Sequence, residues 1–378
     1  MKQKKALVLA SVASMIEQFN MNHINLLLEH GFDVDVACNC KEGNNISNEK
    51  IEEMIALLAD KGVKVFHVPI PRKISDVKGI VRSISQVKAM CKKNKYDLMH
   101  CHSPIGAVVA RIAAKGRVKK VIYTAHGFHF YKGAPLINWM IFYPIEKILS
   151  YVTDVLITIN REDYKFAKKH MHAKQVEYVP GIGIDTKKFQ LENFDKKKKR
   201  VELGIDDEDI MILSVGELND NKNHEVVIRA LSEIDKDNIH YFIAGKGDKA
   251  QFLVNLAEEL NVNLHLLGYR TDIVELLNTA DVYAFPSKRE GLSVALMEAM
   301  AAGLPCVVSK IRGNVDLIED GKDGYLCDVN SVTEFAKGIS AYISNGELAE
   351  DVRLHARSKI QGFDVQKVLG KMKRIYCG

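Results

Sequence analysis

The chain has no run that approaches the ~18 consecutive apolar residues of a membrane-spanning helix, which leaves it without a candidate span. Its thirteen histidines show no HExxH and no comparable metal spacing, and no Ser-His-Asp set stands out. Zinc-protease and serine-hydrolase chemistry therefore have no residues to rest on. Solenoid repeats and long low-complexity tracts are missing too. The seven cysteines (Cys38, Cys40, Cys91, Cys101, Cys306, Cys327 and Cys377) are odd in number, and Cys38-x-Cys40 lacks the spacing of a zinc or redox pair. Reduced thiols in a cytosolic protein are the simplest reading.

What is present is the composition of a globular protein, 47% hydrophobic and 27% charged. At 378 residues the chain exceeds one ordinary core, so two domains are expected. The net charge of +5 hides an asymmetry: residues 1–200 carry 34 Lys and Arg against 19 Asp and Glu, and residues 201–378 carry 19 against 29. The excess is concentrated in 61–120, where 15 cations meet only Asp76 and Asp97. A basic half joined to an acidic half points to an anionic partner. No nucleic-acid motif accompanies the charge, which turns the expectation to an anionic membrane surface or a lipid diphosphate and away from nucleic acid. Lys2, Lys4 and Lys5 ahead of residues 6–16 imitate a secretory signal. A second strand follows at 33–38 with no sign of a mature start, which favours a first buried strand at 6–10, then a loop at 11–15 and a helix at 19–29.

From there strand and helix alternate. Strands are predicted at 63–68, 98–102, 119–124 and 155–159, with helices at 48–61, 77–94 and 106–115 between them. Composition shifts near 180–200, ending in the cationic run Lys196–Arg200, and the alternation then restarts. Strands are predicted at 210–215, 240–244 and 263–267, helices at 224–232, 250–260 and 273–278, and later helices at 332–345 and 365–376. Repeated strand–helix units of this length specify parallel sheets covered on both faces. The expected fold is α/β, with two Rossmann-like domains facing each other across a cleft. The domains are placed at 1–185 and 186–360, with a carboxy-terminal helix at 361–378 packing back on the first domain.

The stretch Asp281 to Val308 carries the clearest chemistry. An apolar strand at 281–286 leads through a polar loop into a helix capped by Ser293 and stopped by Gly303 and Pro305. The loop lies at the carboxyl end of a strand, where open α/β sheets bind ligands. The amides of Gly291, Leu292 and Ser293 at the helix start form an anion site for a phosphate. Glu298, two turns into the helix, can accept hydrogen bonds from a ribose, and Glu290, at the mouth, from a sugar. Against this stands the plain reading that two glutamates eight positions apart are a solvated face. Gly216 ends a strand and lets a ligand approach the backbone; Lys222 beyond it places a cation suited to a diphosphate, or is a solvated loop lysine. Gly245-Lys246-Gly247-Asp248 imitates a dinucleotide fingerprint without its third glycine. Leu267-Gly268-Tyr269-Arg270 either offers main-chain groups to a base or is a plain turn. His126 and His102 end neighbouring strands, and either can be structural. The amphipathic segment 135–152, with Trp139, Phe142, Tyr143 and Tyr151, is core packing or a membrane contact.

Taken in order, Pro286-Ser287-Lys288-Arg289-Glu290-Gly291-Leu292-Ser293, Glu298-Ala299-Met300-Ala301-Ala302-Gly303-Leu304-Pro305, Val215-Gly216, Lys222, Asp272, Thr124-x-His126-Gly127 and Gly183-Ile184-Asp185 make the chain similar to the retaining family 4 glycosyltransferases of the GT-B fold, including those that build bacterial surface polysaccharides. The resemblance implies a hexosyltransferase that moves a sugar from a nucleotide-sugar, a UDP-sugar by expectation, to a lipid-linked or glycan acceptor. It implies Glu290, Lys222 and His126 as catalytic residues. Gly216, Tyr269, Arg270, Gly291, Leu292, Ser293 and Glu298 would hold the donor. No metal and no further cofactor is expected, and the expected location is the inner face of the cell membrane, peripherally bound. Two departures stand out: Glu217 occupies the place of the family's usual arginine, so that Lys222 carries more of the diphosphate with help from Arg289 or Arg270, and the loop at 11–15 lacks paired glycines. A nucleotide-sugar epimerase of the same shape and a catalytically silent subunit are the competing readings.

Overall fold

A computed structural model describes residues 3–378 of the chain; Lys2 of the amino-terminal basic cluster lies outside them. The chain divides into two compact units, one made of residues up to Ile182 together with Val368–Gly378, the other of Gly183–Lys367.

The first unit is built on seven strands: β1 Lys4–Val12, β2 Phe32–Asn39, β3 Lys64–His67, β4 Leu98–His102, β5 Lys120–Ala125, β6 Val155–Thr158 and β7 Gln175–Tyr178. All pair in parallel, in the order β3-β2-β1-β4-β5-β6-β7. Residues alternate between the two faces, as a strand requires. Ala6, Val8 and Ala10 of β1 enter one core and Leu7 and Leu9 the other. A sheet buried on both sides needs such unbroken apolar strands. The chain builds outward from β1 to β3, then returns to lay β4 on the other side of β1. The last helix, Val365–Cys377, adds Val368, Met372 and Tyr376 to the face that holds Ala6 and Val8.

The second unit repeats the design with β8 Ile210–Val215, β9 Ile239–Ala244, β10 Asn263–Gly268, β11 Val282–Phe285, β12 Cys306–Ser309 and β13 Tyr325–Cys327. Their order is β10-β9-β8-β11-β12-β13, again parallel throughout. The reversal falls between β8 and β11. The chain enters and leaves this unit at adjoining points. The Val365 amide donates to the Ile184 carbonyl, and the Thr186 hydroxyl to the Asp364 carboxylate at 2.8 Å.

One expectation is corrected. The predicted loop at 11–15 is the end of β1 and the start of a helix, Ala13–Phe19; a second helix, Met21–Glu29, follows. The break falls at Asn20, whose side-chain amide donates to the Met15 carbonyl and so competes with the helical ladder. The cationic run at 196–200, which marks the shift of composition, is the start of a helix, Lys196–Leu203. Lys199 is buried against Asp272, Glu275 and Glu202 at 2.7, 2.8 and 3.0 Å, and Lys196 and Arg200 both meet Asp281. Lys196, Lys199 and Arg200 are thus paired within the acidic unit. The segment at 135–152 is a helix, Leu136–Ser150: Trp139, Phe142 and Tyr143 pack on the core, while Leu136 and Met140 are 80% and 73% exposed. Among the described residues no helix is long and apolar enough to cross a membrane.

Candidate active site

In a doubly wound sheet the loops that leave two strands in opposite directions splay apart and leave a crevice at their carboxyl ends. In the second unit that place lies between β8 and β11, and it is where Lys222 and Glu290 meet. Lys222 follows β8, Glu290 follows β11, and Nζ stands 2.8 Å from Oε1. The lysine ammonium also lies 5.0 Å from the centroid of the Phe285 ring. Backbone stitching holds the two loops in register. The Lys288 amide donates to the Asn221 carbonyl at 2.7 Å, the Asn221 side chain to the Arg289 carbonyl at 3.1 Å, and the Asn223 side chain to Pro286 and Val329.

Next to the pair begins the helix Val294–Ala302. Ser293 caps it, accepting from the Leu296 amide, and among the described residues none of the amides of Gly291, Leu292 and Ser293 is spent on a main-chain carbonyl. Gly313 fits against this mouth in a left-handed conformation (φ 84°), and a Cβ there would strike the Gly291 carbonyl. Free amides at the positive end of a helix, with a lysine beside them, form a site for a diphosphate.

Glu298 lies on the same helix. Burial lifts its carboxyl to about 7, with Lys188 opposing. The folded chain therefore holds this proton more tightly than the unfolded one, and stability from it is full below the ordinary glutamate value and lost as pH rises towards 7. Glu298→Gln, which mimics the neutral carboxyl, should match the wild type near pH 4 and exceed it by ~3 kcal/mol at pH 8. Denaturant unfolding at the two pH values checks this; an equal gap at both contradicts a buried neutral carboxyl.

Other expected donor residues are placed differently from a simple ligand shell. At Gly216 a Cβ would stand 3.1 Å from Cε of Lys222, so the glycine makes room for the lysine stem. Gly245 and Gly247 likewise pack against the carbonyls of Gly216 and Leu218, which accounts for the imitation of a dinucleotide fingerprint. Tyr269 is 72% exposed at the end of β10. The Arg270 guanidinium is engaged by Asp272, at 2.7 Å through Nε, and by Glu202, so its side chain is not a spare cation for the diphosphate. Arg289 is exposed. Glu217 is exposed too and accepts from the Asn219 side chain.

The first unit has its own reversal, between β1 and β4. Here Ser11 and Ser103 lock together: the Ser11 amide donates to the Ser103 hydroxyl, and the Gly106 amide to the Ser11 hydroxyl. Ser103 is held at φ 62°, a left-handed conformation unusual for a side-chain-bearing residue. A cavity of about 320 Å³ opens beside it, lined by Val12, Met15, Arg72, Ile105, His129 and Phe142 among others. His126 follows β5, and its Nε2 lies 3.1 Å from Nδ1 of His102. Sequence spacing missed His100, His23 and Tyr376, which complete this cluster. His100 is bonded by the Tyr376 hydroxyl at Nδ1 and the Thr124 hydroxyl at Nε2. Its i,i+2 spacing from His102 on a strand was the available signal; His23 and Tyr376 arrive from distant helices and gave none. Burial holds His23 and His126 down at about 4 and lowers His100 and His102 as well. Ring nitrogens of His23, His100 and His102 come within 4.8 Å of one another, close enough to ligate an ion. Two features weigh against that use. Both His100 nitrogens are engaged, and among the described residues no carboxylate acts on the three rings, so a cation would be buried with nothing to offset it.

Residues 195–359 match the family described as glycosyl transferases group 1, and residues 6–160 the one described as glycosyl transferase 4-like. The putative glycosyltransferase EpsD of Bacillus subtilis is 33% identical over 99% of this chain and 96% of its own length. The chain belongs to the group 1, family 4-like glycosyltransferases. A second relative of this glycosyltransferase is the UDP-Gal:alpha-D-GlcNAc-diphosphoundecaprenol alpha-1,3-galactosyltransferase of Escherichia coli, 29% identical over 97% of this chain and 95% of that one. The capsular polysaccharide biosynthesis glycosyltransferase CapM of Staphylococcus aureus is 24% identical over 100% and 97%. The enzyme is a glycosyltransferase of the capsule and exopolysaccharide type. Among solved structures it is similar to Anabaena Alr3699/HepE in complex with UDP-glucose (TM-score 0.79, 18% identical, 99% of each chain). Sucrose-phosphate synthase from Thermosynechococcus elongatus superposes with a TM-score of 0.80 at 17% identity, over 100% of this chain and 98% of that one. At those identities the likeness is one of fold, and the fold is GT-B.

Proposed function

We propose that this glycosyltransferase takes a hexose from a UDP-sugar and passes it, with retention at the anomeric carbon, to a lipid-linked acceptor in cell-surface polysaccharide synthesis. The observation that carries the reading is the Lys222–Glu290 pair beside the free helix-start amides at the β8/β11 reversal. Lys222 and the amides of Gly291, Leu292 and Ser293 take the diphosphate, Glu298 the ribose, Glu290 the sugar, and the main chain at Tyr269 and Arg270 the base. His126 acts on the transferred sugar. The bond from the anomeric carbon to the donor phosphate breaks and one to the acceptor oxygen forms on the same face. The acceptor's proton passes to the departing phosphate oxygen, and UDP leaves. Lys222 and the amides stabilise the charge that grows on that oxygen, the work a metal ion performs elsewhere; the reaction is proposed to need no metal and no further cofactor.

The names of two similar proteins support the donor and acceptor. The E. coli relative is named for UDP-Gal and a diphosphoundecaprenol acceptor, and the Anabaena structure holds UDP-glucose. We place the enzyme peripherally on the inner face of the cell membrane. The exposed apolar side chains Leu136, Met140, Ile148 and Tyr151 and the basic stretch 61–120 would meet its anionic surface. Sugar transfer from a panel of UDP-sugars tests all of this, with a polyprenyl-diphosphate-linked sugar offered in anionic vesicles, in neutral vesicles or not at all. The expected result is transfer that requires the acceptor and runs faster on anionic vesicles. A new nucleotide-sugar formed without acceptor would mark an epimerase, silence with every donor a non-catalytic subunit, and indifference to vesicle charge would remove the membrane contact.

A further inference from the structure

We propose that His102 is a positioning residue that locks His126 in the tautomer protonated at Nδ1, so that His126 offers a hydrogen-bond donor to its ligand and cannot act as a base. The inference begins with two nitrogens that face each other. Nδ1 of His102 and Nε2 of His126 lie 3.1 Å apart, and one proton must lie between them. Two arrangements satisfy that contact. In one, His126 donates from Nε2; His102 then accepts at Nδ1 and must carry its own proton on Nε2. In the other, His102 donates from Nδ1 and its Nε2 is a bare lone pair.

The far side of the His102 ring decides between them. His102 is fully buried, and its Nε2 has no hydrogen-bond partner among the described residues. The first arrangement strands an N–H there, and orphaned buried N–H groups are rarer in folded proteins than under-satisfied acceptors. The second strands only a lone pair. A third state, with both rings protonated, is opposed by burial and by the cluster of imidazoles around them. The neighbours leave His102 little freedom to turn. The His100 ring lies 4.1 Å away, centroid to centroid, and is itself fixed by Tyr376 and Thr124, while the His23 ring lies 6.2 Å from His102 and 5.7 Å from His100. With Nε2 of His126 receiving the shared proton, Nδ1 carries the other.

The tautomer claim stands on geometry alone; its consequence for catalysis rests on the proposed glycosyl transfer. The test separates the two. Long-range proton–nitrogen correlation spectra of protein labelled with ring-15N histidine, with His126→Phe to assign the signal, report which nitrogen of His126 is protonated, with no substrate present. The expected pattern is a protonated Nδ1 and a bare Nε2 in the wild type. His102→Gln, whose side-chain amide can still donate, should keep that pattern, and His102→Leu should release it to Nε2–H. Transfer should fall about tenfold in His102→Leu, the effect of one hydrogen bond, and return towards wild type in His102→Gln. A wild-type His126 protonated at Nε2, or a His102→Leu that keeps Nδ1–H, overturns the proposal whatever the activity; should His102→Leu fail to fold, the wild-type and His102→Gln spectra still decide. Tautomers as expected with unchanged transfer would overturn the positioning role and leave the geometry standing.

Discussion

Lys222→Ala is expected to lower sugar transfer by about 10²–10³-fold while the protein stays folded. Two losses combine. The growing charge on the departing phosphate loses its cation, and Glu290, now unpaired, presents a carboxylate to an incoming diphosphate. The fold loses little, since the pair is partly exposed, with side chains 21% and 17% accessible, and a pair of that kind is worth at most about 1 kcal/mol. Glu290→Ala should abolish transfer to a similar degree by a different route. It removes the acceptor for the sugar hydroxyls but frees Lys222, so UDP should bind no more weakly than to wild type, whereas Lys222→Ala should weaken UDP markedly. Calorimetric titration of UDP alongside steady-state transfer separates the two. Because the residues touch, the double variant should fall short of the product of the single effects. Wild-type rates in either single variant would remove the pair from the site.

The logic of that pair was legible in the sequence because it lies where strand ends and turn residues leave strong local marks. The helix after Ser293 begins and ends where its cap and Gly303 place it, and β8 and the helices 77–94 and 224–232 have their predicted bounds. What stayed hidden depends on partners far along the chain. The run Lys196–Arg200 marks only a shift of composition in the sequence; folded against Asp272, Glu275 and Asp281, Lys199 and Arg200 become interior charges of the acidic unit. Arg270 is different: its main partner, Asp272, stands two residues further on, and only the weaker contact with Glu202 is distant. Gly216 stands out in the sequence as a strand-ending glycine, but its contact with the stem of Lys222 needs the folded loop to be seen. The histidine cluster joins β4 and β5 to residues 23 and 376, and no local pattern spans that distance.

Glu146→Ala should destabilise the protein by ~3–5 kcal/mol, the largest single effect on stability expected outside the hydrophobic cores. Glu146 lies on the helix Leu136–Ser150, and its carboxylate reaches inward to Arg111, which is 1% exposed on the helix Pro104–Ala114. Nη2 stands 2.9 Å from Oε2, an ion pair by distance at an angle too bent for a full hydrogen bond. The Tyr123 hydroxyl of β5 donates to the other carboxylate oxygen at 3.1 Å, and the Tyr123 ring lies 4.2 Å below the guanidinium. Burial works against the arginine charge, but Glu146 outweighs it and holds the group above the ordinary arginine value. Alanine at 146 removes that compensation and leaves a cation in the interior. The double variant Arg111→Met/Glu146→Leu removes both charges at similar volume and should recover most of the loss or all of it, because the desolvation cost goes with them. Chemical unfolding of the three proteins checks this, and a double variant as weak as Glu146→Ala would show that shape, not charge, is what the site protects. The outcome matters for the enzyme because this helix turns Leu136 and Met140 outward and sets Phe142 in the wall of the cavity beside Ser103. Arg111 and Glu146 are what fix one face of that helix on the sheet, so loosening them should blunt the vesicle dependence of transfer before it alters the affinity for UDP.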